Sequence, residues 1–270
     1  MIATYHNHST WSDGKACIAD LIDRARDLGV DELGISDHFV VHPQGKQMPW
    51  AMRSDQLEAY IAEIQSHRGM SGPVVRLGLE VDWFPGHEEP IRAALRGRPF
   101  DYLIGSVHHV GEHAIDGSPH AWESMSQQER DEIHRRYWIN MKSLAESGIF
   151  DIAAHLDLPK KFGFHASRPP EQEIDAALDA LAEAGTIVEL NTAGWHKPCR
   201  DGYPSIDILK ACRARGIAVT ISADAHEPDH LLRDFPRAVQ RLQNAGYEHV
   251  ARFANRRLSF EPIEAAIARF

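Results

Sequence analysis

Apolar stretches rich in β-branched residues alternate along the chain with segments whose apolar positions recur every three or four residues. "MIATY" (1–5) predicts a first strand. "CIADLIDRARDLG" (17–29) predicts a helix: Ile18, Leu21, Ile22, Ala25 and Leu28 share one face, and Gly29 is placed to end it. Further strands are predicted at "DELGISD" (31–37), "VVRLGLEVD" (74–82), "DYLIGSVHH" (101–109), "FDIAAHLD" (150–157), "TIVELN" (186–191) and "IAVTISAD" (217–224). Helical patterns lie between them at 54–68, 87–97, 126–147, 169–185 and 205–216, with another at 229–245. The segment 112–125 reads as a loop, and the chain closes in a less regular tail.

About seven βα units in a row imply a parallel sheet. Within 270 residues they favour a closed α/β barrel over an open sheet. A doubly wound sheet is the structural alternative, weakened because no GxGxxG follows the first strand. No composition break or linker divides the chain, so one domain over 1–270 is expected. The formal net charge of −10 argues against a surface for long nucleic acid or anionic membrane. Three cysteines without a CxxC pair suggest reduced thiols and a cytoplasmic protein. Residues 1–10 do not read as a signal sequence, and no apolar run approaches a membrane span.

The 17 histidines are an excess that needs a reason. They gather with carboxylates at the ends of the predicted strands. The first strand leads to His6 and His8, the second to Asp37 and His38, and the third carries Glu80. The fourth ends at His108 and His109, the fifth at His155 and Asp157. The sixth carries Glu189 and Asn191, and the seventh leads to Asp224 and His226. In a parallel barrel these ends meet on one rim. Two histidines at i, i+2 of an extended chain point the same way and can reach one ion. Glu80 sits in an apolar strand, where an unpartnered carboxylate is costly and a metal would remove the cost. Singly, each residue has an ordinary explanation; Asp13 in "SDG" reads as a turn residue. Coincidence at seven matching positions does not. Nitrogen and oxygen ligands without thiolates suit Zn, Mn or Fe. Nine candidates exceed one tetrahedral site, so two or three divalent ions sharing a carboxylate are expected, as in hydrolytic centres.

The motifs "HNHSTWSDG", "ISDH", "GLEVDWFPG", "SVHH", "AAHLDLPKKFG", "VELNTAGWHKP" and "SADAH" resemble, in order, those of the PHP (polymerase and histidinol phosphatase) superfamily. Within it they look like the monofunctional histidinol-phosphatase branch. The resemblance implies a distorted (β/α)7 barrel with a trinuclear metal centre. It assigns His6, His8, Glu80 and Asp224 to one metal, Glu80, His108 and His155 to a second, and Asp13, His38 and His226 to a third. It implies hydrolysis of a phosphomonoester, L-histidinol phosphate to L-histidinol and phosphate, by a metal-activated water. Asp224, His226 and Glu80 then stand at the reacting centre. Substrate contacts are expected from Lys160, Lys161, Asn191, His196, Lys197 and Arg200. His196 stands where relatives typically carry an arginine, and Lys197, Arg200 or Lys160-Lys161 would compensate. His109 replaces a phenylalanine of related phosphatases and is expected to point away from His108. A phosphatase or phosphodiesterase acting on nucleotides or other small phosphoesters is the alternative; an amidohydrolase and a non-enzymatic metal-binding module are weaker rivals.

Overall fold

Each predicted strand reaches the barrel, but the pleat is broken where the site begins. The structure, a computed structural model, describes residues 1–264. In chain order the strands are β1 (Ala3–Thr4), β2 (Glu32–Ile35), β3 (His38–Phe39), β4 (Val74–Leu77), β5 (Glu80–Asp82), β6 (Ile104–Ser106) and β7 (His109–Val110). They continue with β8 (His113–Ala114), β9 (Ile152–Ala153), β10 (Ile187–Asn191), β11 (Val219–Ser222), β12 (His249–Ala254) and β13 (Arg257–Pro262). The helices are α1 (Ile18–Asp27), α2 (Leu57–Ser66), α3 (Glu88–Leu95), α4 (Pro119–Glu123), α5 (Gln127–Glu146), α6 (Glu171–Ala184), α7 (Ile206–Ala214) and α8 (Phe235–Asn244).

Two parallel sheets, β1-β2-β4 and β3-β5-β6-β9-β10-β11, form one ring. β2 runs on into β3 and β4 into β5, and hydrogen bonds from Gly78 N to Ile35 O (2.8 Å) and Glu80 N to Asp37 O (3.1 Å) bridge both breaks. The ring closes through a parallel bridge between Asn7 and Ala225, with His8 N donating to Ala225 O at 2.8 Å. That gives seven strand positions, and the helices between them cover the outside. The fold is the expected α/β barrel of seven units.

The opposite end of the barrel is filled by Tyr5, Tyr102, Ile104, Ile152 and Ile187, on which Ala251 and Phe253 of β12 pack. The antiparallel β12–β13 hairpin replaces the irregular tail that was expected. Its turn residues Asn255 and Arg256 both have positive φ, a two-residue hairpin turn without the glycine that would announce it. The helix expected at 229–245 starts only at Phe235. Asp234 lies in the left-handed region and Pro236 fits only a first helical turn. The 112–125 segment is not all loop: it holds β8 and α4, anchored by the buried Trp122. No described helix is long and apolar enough to cross a membrane. The single domain expected over 1–270 includes residues 265–270, which lie outside the described residues.

Tyr102 sets a size limit inside the barrel. Its hydroxyl donates to Tyr5 O at 2.5 Å, and a Cβ on Gly78 would fall 2.2 Å from its ring. Gly78→Ala is therefore expected to destabilise the fold by about 1–3 kcal/mol through overpacking. Urea unfolding of the two proteins measures it; equal midpoints would contradict the close approach.

Candidate metal centre

Strand register assembles the site. The Asn7–Ala225 bridge sets His6 and His8 beside Asp224 and His226. His38 and Glu80 are register partners on β3 and β5. Asp13 comes from the turn after β1, which buried Asp37 fastens. Its carboxylate accepts from Ser9 N (2.8 Å), Ser9 Oγ (2.7 Å), Ser12 N (3.1 Å) and Ser12 Oγ (2.6 Å).

The nine candidate ligands come together around Glu80, but not as three separate sets: His8 stands with Asp13, His38 and His226 as well as with His6 and Glu80, and His38 stands also with Glu80 and His108. His6 Nε2 lies 3.0 Å from Glu80 Oε2 and 3.6 Å from Asp224 Oδ1; His8 Nε2 lies 3.5 and 3.1 Å from the same oxygens. On the other side of Glu80, Oε1 is 3.1 Å from His155 Nε2 and 3.6 Å from His108 Nε2, which are 3.2 Å apart. Asp13 Oδ1 lies 3.3 Å from His226 Nε2 and 3.7 Å from His38 Nε2. His8 stacks between the rings of His38 and His226, each 4.3 Å away. His38 Nδ1, 2.7 Å from Glu80 Oε2, joins the third group to the first.

These separations suit divalent ions. Ligand atoms held tetrahedrally about 2.1 Å from one ion stand about 3.4 Å apart. His6 Nε2 and Glu80 Oε2 are buried and make no hydrogen bond, although they face each other. An ion between them would satisfy both.

The surroundings orient the ligands. His6 Nδ1 meets Glu189 Oε2 at 2.9 Å. The same buried carboxylate accepts from His155 N (2.8 Å), Asn191 Nδ2 (2.9 Å) and Ser222 Oγ (2.7 Å). His108 Nδ1 meets Asp82 Oδ1 at 2.6 Å. His155 and Asp224 hold positive φ, a strained backbone kept by the groups around it. Burial alone would raise the Glu80 carboxyl, but His38 and His6 hold it well below the usual range. Burial, then His226 and His38, push His8 down to about 3, which keeps it neutral, the form that binds metal. Glu189→Gln keeps the shape around His6 and removes the charge. It is expected to weaken metal affinity about 10–100-fold, as loss of such outer partners does. Zinc titration against a competing chelator reads this directly, and unchanged affinity would remove Glu189 from the site.

The substrate side departs from expectation. A cleft of about 540 Å³ opens over the ligands, lined in part by Trp50, Asp116, Lys161, Lys197, Glu227 and Arg233. Lys161 and Lys197 reach it. Lys160 does not line it: its ammonium is held by Asp157 (2.9 Å), Asp201 (2.8 Å) and Gly202 O (2.8 Å). Asn191 is buried beneath the site, its Nδ2 3.3 Å from Asp224 Oδ2. His196 turns to Asp234 at 2.5 Å and does not line the cleft; nor does Arg200, which is exposed. His109 faces Asp82 Oδ2 at 3.5 Å and stacks on Phe84, leaving His108 as the ligand-facing histidine. Arg233 and Trp50 went unpredicted, because nothing in their local sequence marks them as cleft residues.

The PHP domain family pattern matches residues 4–193. A protein of Deinococcus radiodurans named "Probable histidinol-phosphatase" is 38% identical over 224 residues, 82% of this chain and 85% of its own. The histidinol-phosphatase of Lactococcus lactis is 22% identical over 94% of this chain and 95% of its own. The crystal structure of the Lactococcus lactis histidinol phosphate phosphatase with zinc, L-histidinol and phosphate shares the fold. Its TM-score is 0.78 at 20% identity, covering 96% of this chain and 98% of that one.

Proposed function

We infer the function of this chain from its kinship: it belongs to the PHP domain family, in the histidinol-phosphatase branch. It is a phosphoric monoester hydrolase that converts L-histidinol phosphate to L-histidinol and phosphate, a step of histidine biosynthesis. The observation that carries the chemistry is Glu80, whose two oxygens each face a separate group of ligand atoms. The relatives carry the substrate: they are named for histidinol phosphate, and the Lactococcus structure holds L-histidinol and phosphate. They do not favour the nucleotide alternative.

His6, His8, Glu80 and Asp224 would hold one ion, Glu80, His108 and His155 a second, and Asp13, His38 and His226 a third. Zinc agrees with the Lactococcus structure, and the donor set also accepts Mn or Fe. Such ions supply Lewis acidity for a phosphoryl oxygen and lower the pKa of an attacking water. The chain's own residues do the rest. Asn191 Nδ2 steadies Asp224 at 3.3 Å, and Asp224 and His226 both line the cleft. Asp116 lines the cleft with its carboxylate paired to Lys161 at 3.3 Å, so the substrate's ammonium would compete with that lysine for it. Trp50, edge-on to His38 at 4.8 Å, offers a wall for the imidazole. We place the whole of 1–270 in one catalytic domain. A cytoplasmic location accords with the free cysteines Cys17, Cys199 and Cys212.

Phosphate release from L-histidinol phosphate, beside nucleotide and sugar monophosphates and with bound metal quantified, tests this reading. A kcat/KM for histidinol phosphate at least ~100-fold above the others, about 2.7 kcal/mol of discrimination, is expected. Equal rates across the panel would leave a phosphatase of another substrate.

A further inference from the structure

The cations of the cleft fall into two sets. Lys15 pairs with Glu227, and Lys161 donates to Asp116 O at 3.0 Å. Lys197 and Arg233 have no anionic partner within ion-pair distance among the described residues, and the Arg233 Nε is buried without a hydrogen bond. A guanidinium N–H withdrawn from water without an acceptor is costly. Its planar fork matches a phosphate better than an ammonium does.

The loop around Arg233 is fastened so that this cation, and not its neighbours, faces the ligands. The Arg233 carbonyl accepts from Thr192 Oγ1 at 2.8 Å. The next residue, Asp234, has φ +60° and takes His196 Nε2 on Oδ2 at 2.5 Å. Thr192 and His196 are the two ends of the 3-10 turn that follows β10. The turn after β10 therefore grips the loop after β11 at two consecutive residues. Farther along, Arg237 and Arg241 lie over the Trp195 ring, 4.2 and 5.4 Å from its centre, and Arg241 also pairs with Asp201 at 2.6 Å. Arg233 alone of this arginine run lines the cleft, together with Asp224.

We propose that Arg233 is the arginine that binds the substrate's phosphoryl group, and that His196 serves by holding the loop that aims it. This rests on the phosphatase reading for its ligand. It moves His196 from a phosphate contact to a positioning residue and replaces it with a residue 37 positions on, by the numbering.

The test is calorimetric titration of inorganic phosphate into the metal-loaded full chain, for wild type, Arg233→Ala, His196→Ala and the double variant. Bound metal and thermal midpoint are checked for each. Arg233→Ala is expected to weaken phosphate binding about 10- to 100-fold, as loss of a charged hydrogen bond does, with metal content unchanged. His196→Ala is expected to lose less, and the double variant to match Arg233→Ala, because a residue acting through another adds nothing once that other is gone. If Arg233→Ala loses metal, Arg233→Gln, which keeps the side-chain length, takes its place. Phosphate affinity within about twofold of wild type in the arginine variant would overturn the assignment. A His196→Ala loss that adds in full to the arginine variant, or no loss at all, would overturn the positioning role. Failure of the phosphatase reading shows separately, as a wild type that binds phosphate but hydrolyses no ester of the panel.

Discussion

Glu80→Gln is expected to lower kcat on histidinol phosphate by about three orders of magnitude or more, since metal assistance is worth several kcal/mol and each 1.36 kcal/mol is tenfold. One substitution has so large an effect because Glu80 is shared. Oε2 faces His6 and His8, and Oε1 faces His108 and His155. A neutral amide is a poor ligand on both sides, and two groups fail together. Bound metal, measured by elemental analysis, should fall with the rate. The fold should survive, because Glu80 makes few contacts outside the ligands apart from Ser106 Oγ. Full metal content with full turnover in the variant would sink the shared-carboxylate centre.

Metal removal should abolish turnover and also lower stability. An ion at a hundredfold excess over its Kd stabilises by about 2.7 kcal/mol, roughly 5–10 °C in Tm for a chain of this size. Readdition of zinc should restore both. The affinity should depend on pH in a fixed direction. Burial opposes it, but Asp82 raises His108 to about 10 in the metal-free protein. Burial likewise opposes Asp13 and Asp224, which raise His226 to about 9. A histidine must give up its proton to ligate, so binding tightens as pH rises toward those values. Each proton displaced adds a factor of about ten per pH unit. Scanning calorimetry across a zinc series at two pH values gives both results. A midpoint indifferent to zinc would exclude ions from these groups.

The metal side of this protein was legible because strand ends are legible. A parallel barrel turns every strand end toward one rim, so histidines and carboxylates at those ends need only a strand reading to be placed together. Glu80 announced itself as a carboxylate in an apolar run, and His6-x-His8 as a pair with one orientation. The substrate side lies on loops, where direction is set by long-range partners. Lys160 looked available in "LPKKFG" and is captured by Asp201, which lies 41 residues on. His196 looked like a phosphate contact and is captured by Asp234, 38 residues on. Arg233 carries no local mark, and the loop that carries it is held by Thr192 on the Arg233 carbonyl and by His196 on the Asp234 carboxylate. The β12–β13 hairpin escaped notice because alternation through Ala251 and Phe253 is weak and its turn lacks glycine.

By itself, the sequence determined the seven-unit barrel and the gathering of nine candidate ligands on its rim, because those follow from periodicity, strand polarity and family motifs. It did not decide their division, since His8 and His38 each stand in more than one group. Only the tertiary structure decided how the ring closes, at Asn7 and Ala225 among the ligands themselves, and which cations of the loops remain unpaired. Ring closure joins the first and last strands, and cation pairing joins loops some 40 residues apart, as Lys160 does with Asp201. Local propensity carries no information about which side chain meets which across such distances. Packing and electrostatics choose among them only once the chain has folded.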